Sequence, residues 1–281
     1  MSAIVLNGKE LAKCLEEKLR EKVAFLKEKY SDNATLATII VGNDPASQTY
    51  VKMKGNACER VGINSLKIEL EESTTTEALL EVISNLNNDN KIDGILLQHP
   101  VPKHIDERKC FNAILPRKDV DGVTSAGFGA MSMQEKAYVS ATPFGIMKII
   151  EHYNIDVEGK EVVVIGRSAI LGKPIAMMLL NKNATVTITH SKTKNLEEVV
   201  KRADIVVACV GKPKFVKKEW LKKGVVIIDA GYNPGNVGDV DLDNVKEIAS
   251  AYTPVPGGVG PMTILSLITQ TVDSFEQRIK K

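Results

Sequence analysis

Residues 162–176 read VVVIGRSAILGKPIA. Val162, Val163, Val164 and Ile165 form a short apolar, β-branched run, the pattern of a strand buried on both faces. Gly166 interrupts it, and SAILGKPIAMMLLNKN (168–183) predicts a helix. A strand, a glycine turn and a helix are the setting of the dinucleotide fingerprint, usually GxGxxG. Here the glycines are Gly166 and Gly172, with Ser168 between them, so the motif is a variant. The physical logic survives the variation. A helix N-terminus presents unpaired N–H groups and partial positive charge to a pyrophosphate, and Ser168 adds a hydroxyl donor.

The next strand decides which cofactor fits. An NAD site places Asp or Glu about 20 residues on, against the ribose hydroxyls. The segment TVTITHSKT (185–193) offers His190, Ser191 and Lys192 instead, with no acid. Arg167 lies inside the glycine turn. A cation and a hydroxyl in place of an acid suit a 2′-phosphate, so NADP is expected rather than NAD.

Outward from this motif, strands alternate with helices. ATVTIT, NLEEVVKRA, DIVVACVG and GVVIIDAG continue the series in the second half. In the first half, Leu11, Leu15, Leu19, Val23, Leu26 and Tyr30 have helical spacing. TLATIIV (35–41) reads as a strand ended by the turn GNDP, followed by a helix over 45–61. SLKIEL, 75–88 and DGILLQ give strand, helix and strand. The alternation predicts two α/β domains with parallel sheets, the second Rossmann-like. The boundary falls at 120–140, in or just after the connector LPRKDVDGVTSAGFGAM. TPFGIMKIIEHYN predicts a helix capped by Thr142 with Pro143 at its first position. The last 21 residues, from Pro261, predict one amphipathic helix.

Composition excludes several classes. The chain has 281 residues, 43% hydrophobic and 26% charged, with net charge +2. That balance fits a globular core and no polyanion partner, and 5% aromatics leave little for base stacking, so no nucleic acid is expected. No uncharged apolar stretch reaches the ~20 residues of a membrane span. The N-terminus lacks a basic start and apolar run, so a cytoplasmic location is expected. The four cysteines and four histidines show no metal-ligand spacing, so no metal is expected.

The first half carries its own candidate chemistry. In TYVKMKG (49–55), Tyr50 and Lys54 are four residues apart and share a helix face. Spacing alone fits either an ordinary helix surface or a catalytic pair. Tyr-x-x-x-Lys also marks short-chain dehydrogenases, but there the nucleotide motif comes first in the chain, and here it comes second. Gln98 ends a strand, where open α/β sheets bind ligands. RKDVDG places Asp119 and Asp121 in the connector. YTPVPGGVGPMT (252–263) reads as a ligand-approaching loop or a tight turn.

Taken together, ASQTYVKMKGNACERVGI, DGILLQHPVP, KDVDG, GRSAILGKP, HSKT and TPVPGGVGPMT resemble, in order and over nearly the whole chain, the bifunctional methylenetetrahydrofolate dehydrogenase/methenyltetrahydrofolate cyclohydrolase (FolD) family. The resemblance implies NADP-linked oxidation of 5,10-methylenetetrahydrofolate to the methenyl form, then hydrolysis to 10-formyltetrahydrofolate, in one-carbon metabolism and purine biosynthesis. It implies that Lys54 is the catalytic lysine, with Tyr50 and Gln98 beside it, and that Asp121 binds the pterin. Val255, Pro256, Gly257, Gly258 and Pro261 would line the folate pocket. Gly166, Arg167, Ser168 and Ser191 would hold NADP, and Tyr232 would lie where the backbone meets the nicotinamide side. It further implies a folate-binding catalytic domain of residues 1–120 plus the helix 262–281, an NADP domain of 140–261, a cleft between them, and a homodimer formed through the nucleotide domain.

Departures from the family pattern are small. His99 stands where Leu is common, Leu171 replaces a valine, and DAGYN replaces DVGIN. His99 is expected to pack beside Gln98. Three alternatives remain open at this level: a non-catalytic NADP-binding module, a dehydrogenase without cyclohydrolase activity, and a different NADP dehydrogenase acting on another small substrate.

Overall fold

The computed structural model describes residues 3–280. The chain opens with β1 (Ile4–Val5) and α1 (Gly8–Tyr30). Then come β2 (Thr35–Val41), α2 (Pro45–Val61), β3 (Asn64–Leu70), α3 (Thr76–Asn88), β4 (Gly94–Leu97), α4 (Glu107–Ala113) and α5 (Ser125–Ser132). The second half holds α6 (Ala141–His152), β5 (Glu161–Ile165), α7 (Gly172–Leu180), β6 (Thr185–Thr189), α8 (Leu196–Lys201) and β7 (Ile205–Ala208). It closes with β8 (Val226–Asp229), α9 (Leu242–Val245), β9 (Ala251–Tyr252) and α10 (Val259–Ile279).

By contacts the chain divides into two compact units. The first comprises Cys14–Ala141 and Ile264–Lys281, the second Met1–Lys13 and Thr142–Thr263. The first unit is built on a parallel three-stranded sheet in the order β3-β2-β4. Its central strand is buried from Leu36 onward, which explains why TLATIIV is a continuous apolar run with no alternation. Leu36, Ile39, Ile95, Leu97, Leu79, Ile83, Phe111 and Phe275 are almost wholly removed from solvent. Each such side chain contributes about 1.5–3 kcal/mol of burial free energy.

The second unit holds a six-stranded parallel sheet, β1-β9-β8-β7-β5-β6. The chain runs outward from β5 to β6, then returns to β7 on the other side of β5. The strand order therefore reverses at β5, and its C-terminal edge is a topological switch point, where such sheets bind ligands. Val163, Ile165, Val206, Ala208 and Ile227 fill the core with Val200 and Val245.

Four expectations need correction. The first domain was expected to begin at residue 1, but Ile4 pairs with Ala251 and Val5 with Tyr252, so the chain through Lys13 joins the second unit. A two-residue strand carries no periodicity for sequence to display. The helix expected from Ser168 begins at Gly172, because residues 166–171 form the glycine turn. The helix at 142 starts one residue earlier, with Thr142 and Pro143 inside its first turn, where a missing N–H costs nothing. The C-terminal helix begins at Val259, two residues before the expected start at Pro261.

Candidate active site

In the first unit, local sequence sets α2 firmly. The Asp44 side chain accepts from Ser47 N at 2.7 Å, Pro45 occupies the first turn, and Gly62 ends the helix in the left-handed conformation. The helix carries Tyr50 and Lys54 one turn apart, both half-buried, while Lys52 is exposed. Gln98 follows β4 directly and is buried. Its backbone N–H donates to Ile39 O, which extends the strand ladder by one bond.

Lys54 Nζ donates to Gln98 Oε1 at 2.9 Å, and Gln98 Nε2 donates to the His99 carbonyl at 2.8 Å. The second bond fixes the first, because an amide whose N–H₂ faces a carbonyl must turn its oxygen toward the lysine. Burial holds the Lys54 ammonium below the ordinary lysine range, and the Asp121 carboxylate pulls in the opposite direction. The sequence-predicted residues Lys54, Gln98 and Asp121 are thus brought into mutual influence. The His99 ring packs edge-on to Phe111, at 6.3 Å between centroids.

The KDVDG turn divides its labour. Lys118 points inward and donates to the Leu86 and Asp89 carbonyls at 2.7 and 2.6 Å. Asp119 is buried, its two oxygens accepting from Val123 N and Thr124 N at 3.0 Å each. Burial pushes its carboxyl up to about 6, against those hydrogen bonds. Asp121, held on this clamp, keeps its side chain half-exposed. Asp119 therefore braces the turn.

In the second unit, Gly166 leaves β5 with φ of 129°, and a Cβ there would lie 2.5 Å from Cys209 O. Gly172 has no room for a side chain either, since a Cβ would strike Gly166 O. Both glycines of the variant motif are therefore sterically required. Ser168 Oγ accepts from Leu171 N and Gly172 N, each at 3.2 Å. The sequence reading made Ser168 a donor only. Here it also caps the entry to α7, and its hydroxyl hydrogen stays free to donate. Strand register sets Ile165 opposite Thr189, so Arg167 and Ser191 leave adjacent strand ends, both exposed. The 190–193 turn closes on itself: His190 N donates to Thr193 Oγ1 at 2.9 Å, and Lys192 N to His190 Nδ1 at 3.2 Å.

Tyr232 follows β8, exposed, with its hydroxyl donating to Asn236 Oδ1 at 3.1 Å. Val255, Pro256, Gly257 and Gly258 form a loop of the second unit, whose Gly257 carbonyl accepts from Lys9 N at 2.8 Å. Pro261 sits just beyond it, in the first turn of α10. An N-terminal helix end, a backbone too crowded for side chains, an exposed guanidinium and an exposed hydroxyl together fit a phosphate-bearing dinucleotide.

Sequence reasoning missed two acids in this unit, Asp229 and Asp239, which are 1% and 0% exposed. Asp229, at an apolar strand end, reads as a simple terminator, and Asp239 as one more loop acid. The available signal was the glycine neighbouring each, Gly231 and Gly238, where a Cβ would collide with the other acid's carboxylate. Among the described residues, no helix is long and apolar enough to cross a membrane, and no His/Cys/Asp/Glu group is placed to hold a metal ion.

Comparison with known proteins identifies the family. Residues 6–121 match the tetrahydrofolate dehydrogenase/cyclohydrolase catalytic domain, and residues 140–279 the NAD(P)-binding domain of the same family. The bifunctional protein FolD of Cellvibrio japonicus is 61% identical over 280 residues, covering 100% of both chains. The crystal structure of bifunctional FolD from Campylobacter jejuni superposes with a TM-score of 0.96 at 43% identity, covering 99% of this chain and 100% of that one. A Trypanosoma brucei methylenetetrahydrofolate dehydrogenase-cyclohydrolase, complexed with NADP cofactor and inhibitor, gives 0.96 at 34% identity over 100% of both. With both halves matched and identity this high along the full length, the chain belongs to the tetrahydrofolate dehydrogenase/cyclohydrolase family.

Proposed function

We propose that Lys54, held by Gln98, is the general base of the second of the two reactions this enzyme performs. It oxidises 5,10-methylenetetrahydrofolate to 5,10-methenyltetrahydrofolate with NADP and hydrolyses that product to 10-formyltetrahydrofolate. When bound, NADP supplies the hydride acceptor. The protein's part in oxidation is placement: Asp121 accepts the paired pterin N–H donors, and Val255–Gly258 with Pro261 shapes the surface against the folate.

Hydrolysis needs a proton carrier. Water adds to the methenyl carbon, forming a C–O bond while its proton passes to neutral Lys54. The C–N5 bond then breaks, N5 takes the proton from Lys54, and the added oxygen gives up its remaining proton to solvent as the C=O of the N10 formyl group forms. A lysine at its free pKa near ~10.4 is almost wholly protonated at neutral pH and cannot do this. The observation that carries the reading is the 2.9 Å bond from a desolvated Lys54 to Gln98. It uses one N–H and leaves the amine's lone pair for water. Tyr50, one turn away, holds or relays the proton. The test is the rate of methenyltetrahydrofolate hydrolysis by Lys54→Met, with Lys52→Met as the exposed control. Wild-type hydrolysis by the Lys54 variant sinks the assignment.

For cofactor binding, the reading assigns the pyrophosphate to the Gly166–Gly172 turn with Ser168, and the 2′-phosphate to Arg167 and Ser191. The backbone at Tyr232 then serves the nicotinamide end. Folate chemistry is assigned mainly to the first unit and cofactor binding to the second. The enzyme is further proposed to work in the cytoplasm as a homodimer paired through the second unit, supplying one-carbon units to purine biosynthesis. Strand β6, at the edge of the six-stranded sheet, supports that pairing, and light scattering tests it.

A further inference from the structure

Three loops leave the C-terminal ends of β7, β8 and β9, and two buried acids hold them. Asp239 Oδ2 accepts from Val210 N at 2.6 Å and Gly211 N at 2.9 Å. Its Oδ1 accepts from Lys212 N at 2.8 Å and Asn233 Nδ2 at 3.0 Å. Three consecutive backbone N–H groups converging on one carboxylate form a nest, the concavity that elsewhere binds free anions. Here the protein fills it with its own charge. Gly211, with φ of 64°, supplies the left-handed residue that turns the N–H groups inward.

Asp229, the last residue of β8, continues the network. Its Oδ1 accepts from Gly231 N and Asp239 N at 2.9 and 3.0 Å, and its Oδ2 from Val240 N at 2.9 Å. Its own N–H donates to Thr253 Oγ1 at 2.8 Å, at the entrance to the Pro254–Gly258 loop. Gly231 and Gly238 make the space both acids occupy. The network thus ties together every loop on the β7–β9 side of the switch point.

The adenylate half of the cofactor is assigned above to the turns after β5 and β6, which leaves the β7–β8 side for the nicotinamide half. We infer that Asp239 is a positioning residue for the nicotinamide end of the cofactor, acting through the backbone of Val210–Lys212 and through Asn233. It touches no reacting atom. Its charge keeps two loops in one conformation, and the cofactor meets those loops. The inference rests on the cofactor placement proposed above.

The test separates the two ends of the cofactor in the full-length protein. Binding of NADP and of adenosine 2′,5′-bisphosphate, which lacks the nicotinamide half, is measured for wild type, Asp239→Asn and Gly211→Ala. An asparagine turns an N–H₂ toward donors and leaves a buried N–H unmatched, so NADP affinity should fall at least about tenfold. Bisphosphate affinity should stay within about twofold, since its contacts lie on other strands. The NADP KM of the dehydrogenase should rise in parallel. Equal weakening of both ligands marks a merely structural role and overturns the inference, as does no change in either. If Asp239→Asn does not fold, Gly211→Ala decides alone. Its added methyl meets open space, so it strains only φ, and the same split should appear at about threefold. A wild type that reduces no NADP with methylenetetrahydrofolate would remove the proposed function, yet the ligand comparison would still decide this inference.

Discussion

The two units hold their polar groups in opposite ways. In the first, Lys54 and Gln98 come from a helix and a strand end and hold each other, Gln98 buried and Lys54 half-buried. Burial there alters proton affinity, which is what a base at neutral pH needs. In the second, Arg167 and Ser191 stand in solvent, and the turn proposed to receive the cofactor is shaped by backbone that excludes side chains. No proton-affinity device is needed, because binding and releasing a dinucleotide calls for geometry and reversible charge contacts. The chemical site stores its function in desolvation, the binding site in backbone shape.

Backbone shape breaks hardest. Gly166→Ala places a methyl against Cys209 O and Sγ at a φ that L-residues rarely adopt. Strain and overpacking together should cost about 2–6 kcal/mol, a large share of a domain's stability. Thermal melting should show an early transition with loss of NADP binding, and an unchanged melt would refute the steric account. Lys54→Met comes next. Removing the proposed general base should slow hydrolysis by about 10²–10⁴. Stability should move the other way. The native pKa of Lys54 lies below its unfolded value, so the unfolded chain binds more protons and the buried charge opposes folding until pH rises past that interval. Methionine removes the penalty, so the melting temperature at neutral pH should hold or rise. A fall would show that Lys54 is structural.

The units share one device, a buried carboxylate collecting backbone N–H groups. Burial pushes both Asp119 and Asp229 up to about 6. A carboxyl raised above its unfolded value contributes stability below about pH 4 and loses it as pH climbs through about 6. Across that interval the loss is at most about 3 kcal/mol for each group. Asp119→Asn carries no such titration. Its stability relative to wild type should therefore improve steadily from pH 4 to pH 7, as read by denaturant midpoints. Parallel curves would show that Asp119 does not titrate in this range.

Much of this was legible in sequence wherever local chemistry dominates. The bounds of β2 and α2 follow from an apolar run and from Asp44, Pro45 and Gly62, and the structure keeps them. The switch-point motif was readable because each of its glycines has a steric reason. What escaped notice depends on distant partners. β1 exists only through its pairing with β9, and β9 only through β1 and β8 on its two sides. Asp239 gains its meaning from Val210, Gly211 and Lys212, nearly thirty residues upstream. Periodicity sees no partner at that range. The start of α7 was misplaced for a local reason instead: Ser168–Leu171 has helical composition but is bent into the turn by the Ser168 cap.

The mildest test returns to exposure. Arg167 and Lys54 each carry one basic side chain, yet they should differ greatly in consequence. Water competes for the Arg167 guanidinium whether or not a phosphate is present, so the contact is worth less than its charge implies. A charge-assisted hydrogen bond at such a site supports about a tenfold effect. Arg167→Ala should therefore raise the KM for NADP about tenfold, leave the KM for NAD nearly unchanged, and leave hydrolysis intact. Because the contact is exposed, the NADP effect should shrink as salt is raised, since screening is strong beyond about 10 Å at 0.1 M ionic strength. Equal losses for NADP and NAD would move Arg167 from the 2′-phosphate to the shared pyrophosphate. A salt-independent loss would mean that the guanidinium becomes buried once the cofactor binds, and the contrast between the two units would then hold only for the free enzyme.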